Sequence, residues 1–426
     1  MFGNEITVVF LLCGLICSSC AQEARCSTPD GGIGLCKHFS ECPQLMDLVS
    51  AKRQSAATIS FVKNRICGDL NKLTICCNDC YTPDGKAGLC TPIQNCPHIF
   101  EMLQTGNRTG YAFNSICRNG QMEVCCGPPP EPVLKGNCQK QLTAFPPDAE
   151  THCCGIDSNI DSKISGGNST RIDQYPWLVI LEYEEANLIN LKCGGTLISN
   201  RYVLTAAHCV IGKLARGLKS VRLGEYDTSI NGQDCVFDDC TDGPISIGIE
   251  ESIPHPEYNS TTVWNDIALI RLAQKVDFTD FIRPICLPWS DVTLEQELSR
   301  LTAWAAGWGQ VNRTVQSSNI KLHVGLPLVD TRACQRSYSQ RSGLKYPLWS
   351  KQLCAGGERG KDSCKGDSGG PLMLERIPPS GGRPAHELIG IISFGPTACG
   401  TEYLPGIYTK VYEYNHWIRS HIRPEM

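Results

Sequence analysis

The run Asp362-Ser363-Cys364-Lys365-Gly366-Asp367-Ser368-Gly369-Gly370-Pro371 decides how the rest of the chain is read. Serine, aspartate and glycine all favour turns, so by itself this is a loop. Two distant stretches change that. In Leu204-Thr205-Ala206-Ala207-His208-Cys209 a histidine follows an apolar, strand-like run, and in Asn265-Asp266-Ile267-Ala268-Leu269-Ile270 a carboxylate heads an aliphatic stretch that reads as a buried strand. Taken singly, the histidine is structural and the aspartate a strand-end cap. In the chain order His208, Asp266, Ser368 they supply a hydroxyl nucleophile, a base for its proton and a carboxylate that holds the base's tautomer, which is what acyl transfer needs.

These residues resemble the chymotrypsin/trypsin family of serine proteases from Ile164 to about His421. Other folds that carry the trio arrange it in a different chain order. Cys193-Gly194-Gly195-Thr196-Leu197-Ile198, Ala306-Gly307-Trp308-Gly309, Ser393-Phe394-Gly395 and Pro405-Gly406-Ile407-Tyr408 extend the resemblance in correct order. It implies an all-β protease domain over 164–426, a chymotrypsin-like double six-stranded β-barrel. It further implies that Ser368 attacks the scissile carbonyl, that His208 is the base, that Asp266 orients it, and that the N–H groups of Gly366 and Ser368 stabilise the oxyanion. Asp362 matches the base of the primary pocket, with Ser393, Gly395 and Gly406 as its other substrate-binding positions. Small walls admit a long side chain and a buried carboxylate needs a cation, so cleavage after Arg or Lys is expected.

Lys163-Ile164-Ser165-Gly166-Gly167 stands where this family is activated, ahead of Tyr175-Pro176-Trp177. A cut after Lys163 would create an ammonium at Ile164 able to pair with Asp367. Burying either charge alone would cost several kcal/mol. The pair is therefore expected to act as a latch that orders the pocket and the oxyanion loop only after cleavage.

With 426 residues the chain has room for several units, roughly two to four. A formal net charge of -4, with neither a long basic run nor a basic amphipathic helix, argues against nucleic acid and an anionic membrane as partners. The 27 cysteines are a liability in a reducing cytosol and place the protein outside the cell, in haemolymph if its source is an arthropod. Ile6 to Cys17 is apolar but too short to span a bilayer, and Ser18-Ser19-Cys20 supplies small residues before Ala21. Residues 1–20 thus read as a signal peptide, although Glu5 stands where a basic residue is usual. Removing Cys13, Cys17 and Cys20 leaves an even number of cysteines.

Between Cys26 and Cys126 the chain repeats itself. Cys26-Ser-Thr-Pro-Asp-Gly-Gly-Ile-Gly-Leu-Cys36 answers Cys80-Tyr-Thr-Pro-Asp-Gly-Lys-Ala-Gly-Leu-Cys90, and the repeats close on Cys76-Cys77 and Cys125-Cys126. Units of roughly 50 residues bury little apolar surface, so disulfides are the expected source of stability. Zinc is the rival reading, but paired C-x2-C ligands are missing. The residues alone leave the connectivity open. The two units, 26–77 and 80–126, resemble the clip domains of arthropod clip-domain serine proteases. That resemblance implies pairing of Cys26 with Cys76, Cys36 with Cys67, Cys42 with Cys77, Cys80 with Cys125, Cys90 with Cys117 and Cys96 with Cys126. Gly127-Pro128-Pro129-Pro130-Glu131-Pro132 opens a stiff, loop-like linker and activation segment over 127–163. For the rest, family resemblance points to Cys154 with Cys286 across the cut, Cys193 with Cys209, Cys334 with Cys354 and Cys364 with Cys399. Cys235 with Cys240, and Cys138 with Cys153, are then left.

The acidic stretch with Glu225, Asp227 and Asp234 resembles the family's calcium loop, and a solvated loop is the competing reading. No cofactor is expected in the chemistry itself. Asn107, Asn168, Asn259 and Asn312 each begin a glycosylation sequon. The expectation is a secreted zymogen of a trypsin-like endopeptidase in an extracellular cascade, with a protein substrate, an upstream activating protease and a serpin inhibitor as partners. The resemblance favours prophenoloxidase activation and melanisation in arthropod innate immunity. Alternatives are cytokine processing in the Toll pathway, a non-catalytic clip-domain adaptor, and a digestive trypsin, against which the long cysteine-rich prodomain argues.

Overall fold

The computed structural model describes residues 25–424, apart from 29–31, 43–44, 47–61, 68–73, 106–108, 118–122, 131–137, 139–142, 158–168, 214, 296, 311–316, 342–346, 364–365, 379–380 and 397–399. The protease part begins with β1 (Leu178–Glu185), whose first six residues are buried. The chain turns through Ala186 and Asn187, both at positive φ as a tight hairpin requires, into β2 (Leu188–Leu197). With β3 (Tyr202–Thr205), β4 (Leu218–Leu223), β5 (Ile245–Pro254) and β6 (Ala268–Leu272) they close a barrel of order β4-β5-β6-β3-β2-β1. A second closed barrel follows from β7 (Thr302–Gly307), β8 (Leu322–Val329), β9 (Gln352–Ala355), β10 (Pro371–Arg376), β11 (Ala385–Phe394) and β12 (Gly406–Lys410), in the order β7-β8-β9-β12-β11-β10. Counted from its own first strand, each barrel runs one, two, three, six, five, four. Closure leaves neither sheet with an open edge.

One apolar cluster spans both barrels, and the second barrel has a further one of its own around Leu326, Leu353 and Leu372. The shared cluster reaches from Leu181, Leu204 and Leu269 of the first to Met373, Leu388 and Ile391 of the second. The Trp177 indole N–H donates to the Met373 sulfur at 2.9 Å across the seam. The helix Asn415–His421 returns to the first barrel and buries Trp417 and Ile418 in the same cluster.

Each clip unit is a three-stranded sheet with its strands in the same order. Unit 1 uses Arg25–Ser27, Ile33–His38 and Thr74–Cys77; unit 2 uses Cys80–Tyr81, Ala87–Pro92 and Glu123–Cys126, with helices Pro97–Thr105 and Thr109–Asn114. Their apolar cores are small, Cys42, Leu45, Ile75 and Cys77 in one and a cluster around Ile99 and Tyr111 in the other. Disulfides supply what such cores cannot. The structure joins Cys26 to Cys76, Cys36 to Cys67, Cys42 to Cys77, Cys80 to Cys125, Cys90 to Cys117 and Cys96 to Cys126. Farther on it joins Cys138 to Cys153, Cys154 to Cys286, Cys193 to Cys209, Cys235 to Cys240 and Cys334 to Cys354. The expected pair Cys364 and Cys399 lies outside the described residues.

Part of the segment between clip unit 2 and the protease is inlaid rather than free-running. Ala144 and Phe145 belong to the shared barrel core, and the Phe145 ring meets Tyr81 of unit 2 at 5.5 Å between centroids. Gly155 donates to the Pro284 carbonyl at 2.9 Å and accepts from the His386 N–H at 2.8 Å.

Candidate active site

Strand register brings the first two residues together. β3 and β6 pair antiparallel with Thr205 opposite Ala268, so the residues just outside them, Ala207 and Asp266, also stand level. His208 follows in the short helical turn Ala207–Val210, which the Cys193–Cys209 disulfide ties to β2. Asp266 is fully buried, and its Oδ2 lies 2.8 Å from His208 Nδ1 while Oδ1 accepts the His208 backbone N–H at 3.0 Å. A carboxylate at Nδ1 places the proton there and leaves Nε2 as the acceptor. The Ser393 hydroxyl donates to Asp266 Oδ2 at 2.5 Å, and the Thr409 hydroxyl donates to the Asp266 carbonyl at 2.7 Å. Ser393 therefore points its side chain at the Asp266 carboxylate, so its hydroxyl is not part of the pocket wall.

Ser368 comes from the second barrel. Its carbonyl accepts the Gly194 N–H at 2.8 Å, which pins the loop to β2 at the residue next to the disulfide-bonded Cys193. Gly369, at φ +81°, touches the end of β3, and any Cβ there would collide with the Thr205 hydroxyl and the Gly194 carbonyl. Gly366 adopts φ +104°. Among the described residues the N–H groups of Gly366 and Ser368 make no hydrogen bond within the chain. Asp367 Oδ1 accepts the Gly309 N–H at 2.8 Å. Ile164, its expected counterpart, and the expected cut after Lys163 lie outside the described residues.

At the pocket floor the Gly400 N–H donates to Asp362 Oδ2 at 3.1 Å, while Oδ1 is buried with no partner among the described residues. Burial, with the Asp367 charge adding to it, pushes the Asp362 carboxyl up to about 6. Gly395 and Gly406 approach closely, a Cβ at 395 standing 3.7 Å from the Gly406 Cα. The Ser363 hydroxyl lies 3.0 Å from the Tyr408 hydroxyl. Sequence reading passed over Ser363 and Thr409, because an isolated hydroxyl on a loop or a strand carries no pattern of its own.

In the acidic loop Glu225 and Asp234 are buried. Arg222 Nη1 lies 3.0 Å from Glu225 Oε2, and the Asp227 N–H donates to Asp234 Oδ2 at 3.0 Å, while Asp234 Oδ1 is buried with no partner among the described residues. Burial raises the Glu225 carboxyl, and the Asp234 charge acts in the same direction. An unmatched oxygen beside a second buried carboxylate fits a hard cation. Asp227 Oδ1 accepts the N–H and hydroxyl of Ser229, and Glu225 Oε1 accepts the Tyr226 N–H at 2.9 Å. Of the sequons, Asn259 is exposed, with Oδ1 accepting the N–H groups of Thr261 and Thr262; Asn107, Asn168 and Asn312 lie outside the described residues.

Comparison with known proteins agrees with this geometry. The Trypsin family profile matches residues 164–418, more than half of the chain, and the profile of the regulatory CLIP domain of proteinases matches 26–77 and 80–126. The phenoloxidase-activating enzyme of Bombyx mori is 43% identical over 425 residues, covering 94% of this chain and 95% of its own length. Phenoloxidase-activating factor 1 of Holotrichia diomphalia is 42% identical over 363 residues, 81% of this chain and 93% of that protein. Among solved structures, the Drosophila Grass clip serine protease of the Toll pathway superposes with a TM-score of 0.57 at 29% identity, covering 93% of this chain and 97% of that one. The chain belongs to the trypsin family of serine proteases, in its clip-domain branch.

Proposed function

We propose that this chain is the secreted zymogen of an endopeptidase that cuts after Arg or Lys, is activated by cleavage after Lys163, and activates a phenoloxidase precursor in an arthropod immune cascade. The observation that carries the specificity is the buried oxygen of Asp362 that has no partner among the described residues: a guanidinium or ammonium entering the pocket supplies a donor and offsets the cost of the buried charge. His208 Nε2 takes the Ser368 proton as Oγ attacks the scissile carbonyl, and Asp266 holds the resulting imidazolium. The N–H groups of Gly366 and Ser368 receive the oxyanion, and loss of one such donor costs about 2.7 to 4 kcal/mol of barrier. The proton then passes to the leaving amine, and water repeats the sequence on the acyl-enzyme. An upstream protease, a protein substrate and a serpin are the partners such an enzyme requires. No helix among the described residues is long and apolar enough to cross a membrane. Secretion rests on the apolar leader at Ile6 to Cys17 and on the disulfides.

Glu225, Asp227 and Asp234 would hold a calcium ion that supplies positive charge to this acidic loop and takes no part in the chemistry. Calcium should raise the melting temperature of the full chain, and Asp234→Asn should abolish the rise. Equal melting with calcium and with a chelator removes this site.

The melanisation reading rests on the two phenoloxidase-activating relatives at 43% and 42% identity. The Toll reading has support in the likeness to the Drosophila Grass clip serine protease of the Toll pathway. Incubating the activated enzyme with haemolymph and sequencing the new N-termini separates them. A cut in a phenoloxidase precursor supports the first and a cut in a cytokine precursor the second. Failure to hydrolyse an arginine amide after verified cleavage at Lys163 would overturn both and leave a non-catalytic adaptor.

A further inference from the structure

Asp266 presents its carboxylate to His208 from the apex of a three-residue turn. The Asn265 carbonyl accepts the Ile267 N–H at 2.8 Å, and β6 begins only at Ala268. Asn265 opens that turn in the left-handed region, at φ +57°. Asparagine is among the few residues with a side chain that accept such a backbone. Two residues earlier Val263 stands at φ +58°, which a β-branched side chain resists, so the approach to Asp266 is held in place rather than relaxed.

The grip on this approach comes largely from the second barrel. Asn265 and Tyr414 are buried, at 5% and 1% exposure. The Tyr414 hydroxyl donates to Asn265 Oδ1 at 3.0 Å, and Asn265 Nδ2 donates to the Glu257 carbonyl at 2.9 Å. A carbonyl can only accept, so the amide nitrogen faces Glu257 and Oδ1 faces the tyrosine. Burial raises the Tyr414 pKa and keeps its hydroxyl a donor. Tyr414 ends the helical turn Val411–Tyr414, which follows β12 directly, and it is Thr409 of β12 that donates to the Asp266 carbonyl. Gln352 of β9 donates to the Val263 carbonyl at 3.2 Å, and the Trp349 ring lies 5.3 Å from that of Trp264. A turn former needs only its backbone. Asn265 adds a buried side chain hydrogen-bonded at both ends, which fixes the turn against its neighbours.

We propose that Asn265 is a positioning residue: held by Tyr414, it fixes the turn that aims the Asp266 carboxylate at His208 Nδ1, so that the second barrel sets the geometry of a residue of the first. Ser393 and Thr409 hold Asp266 itself, whereas Asn265 holds the backbone that carries it. The inference rests on the triad reading above and gives Asn265 no contact with substrate.

The test is steady-state hydrolysis of an arginine amide by the activated full chain, expressed per titrated active site, with thermal melting measured alongside. Asn265→Ala loses both side-chain hydrogen bonds and strains the left-handed backbone; kcat should fall at least about 30-fold while KM stays within about threefold. Asn265→Gly restores the backbone without the side chain and should lie between, about tenfold below the unaltered enzyme in kcat. Tyr414→Phe keeps the ring in place and removes one hydroxyl, so kcat should drop about three- to tenfold, again at constant KM. Should Asn265→Ala fail to fold, the other two variants decide. An asparagine with a structural role alone would lower the melting temperature and leave kcat per active site as it was; that result in Asn265→Gly and Tyr414→Phe, or a loss that appears in KM instead, overturns the proposal. Hydrolysis by the unaltered enzyme bears on the triad, and the ratios to it bear on Asn265.

Discussion

Asp362 makes substrate binding and proton binding compete. Its carboxyl is raised by burial from 3.8 to about 6, so below that pH the pocket floor is neutral and has nothing to offer a cation. Affinity for a small amidine inhibitor should fall about tenfold per pH unit below 6 and level off above it; an inhibition constant flat from pH 4.5 to 7 would contradict this. In the folded chain the shift itself favours stability below 3.8, and that contribution is lost as the pH climbs through 6. Replacing the carboxyl altogether, Asp362→Ser, should lower kcat/KM on arginine amides by more than about 30-fold. Ser393→Ala removes a hydrogen bond to the buried Asp266 carboxylate and should cost roughly tenfold or more in kcat with little change in KM. His208, Asp266 and Ser368 were legible in the sequence because each residue type names its chemistry and sits in a recognisable run. The second role of Ser393 was not, since a serine beside a pocket motif gives no sign of which way its hydroxyl turns.

Among elements, the segment ahead of the activation cut departs most from its sequence appearance. Proline-rich and without periodicity, it reads as a spacer, yet Ala144 and Phe145 are buried in the barrel core and Gly155 hydrogen-bonds to the protease on both its polar groups. No pattern could announce this, because two apolar residues in a loop have no period. The consequence is that the Cys154–Cys286 disulfide is a second tether, not the sole one. With Cys154→Ser and Cys286→Ser combined, the two chains produced by cleavage at Lys163 should still co-elute in gel filtration, and separation into two peaks would show that the disulfide alone holds them. The strand-forming runs around His208 and Asp266 were readable, but that β3 and β6 lie side by side is a long-range pairing that only the folded barrel displays.

At the scale of the whole molecule the clip units stand apart from the chemistry. None of their described residues contributes to the triad or to the pocket around Asp362. A chain beginning at residue 127, once activated, should hydrolyse an arginine amide within about threefold of the full enzyme, as expected for distant sites that add independently; a larger loss would mean that the docked units shape the cleft. The two barrels, by contrast, divide the chemistry between them: His208 and Asp266 belong to the first, Ser368 and Asp362 to the second. During synthesis the first barrel can be complete while the nucleophile has yet to be made. A half-made, truncated or split protease is thus disarmed by geometry before any inhibitor is needed, and hydrolytic power appears only where the two halves have found each other.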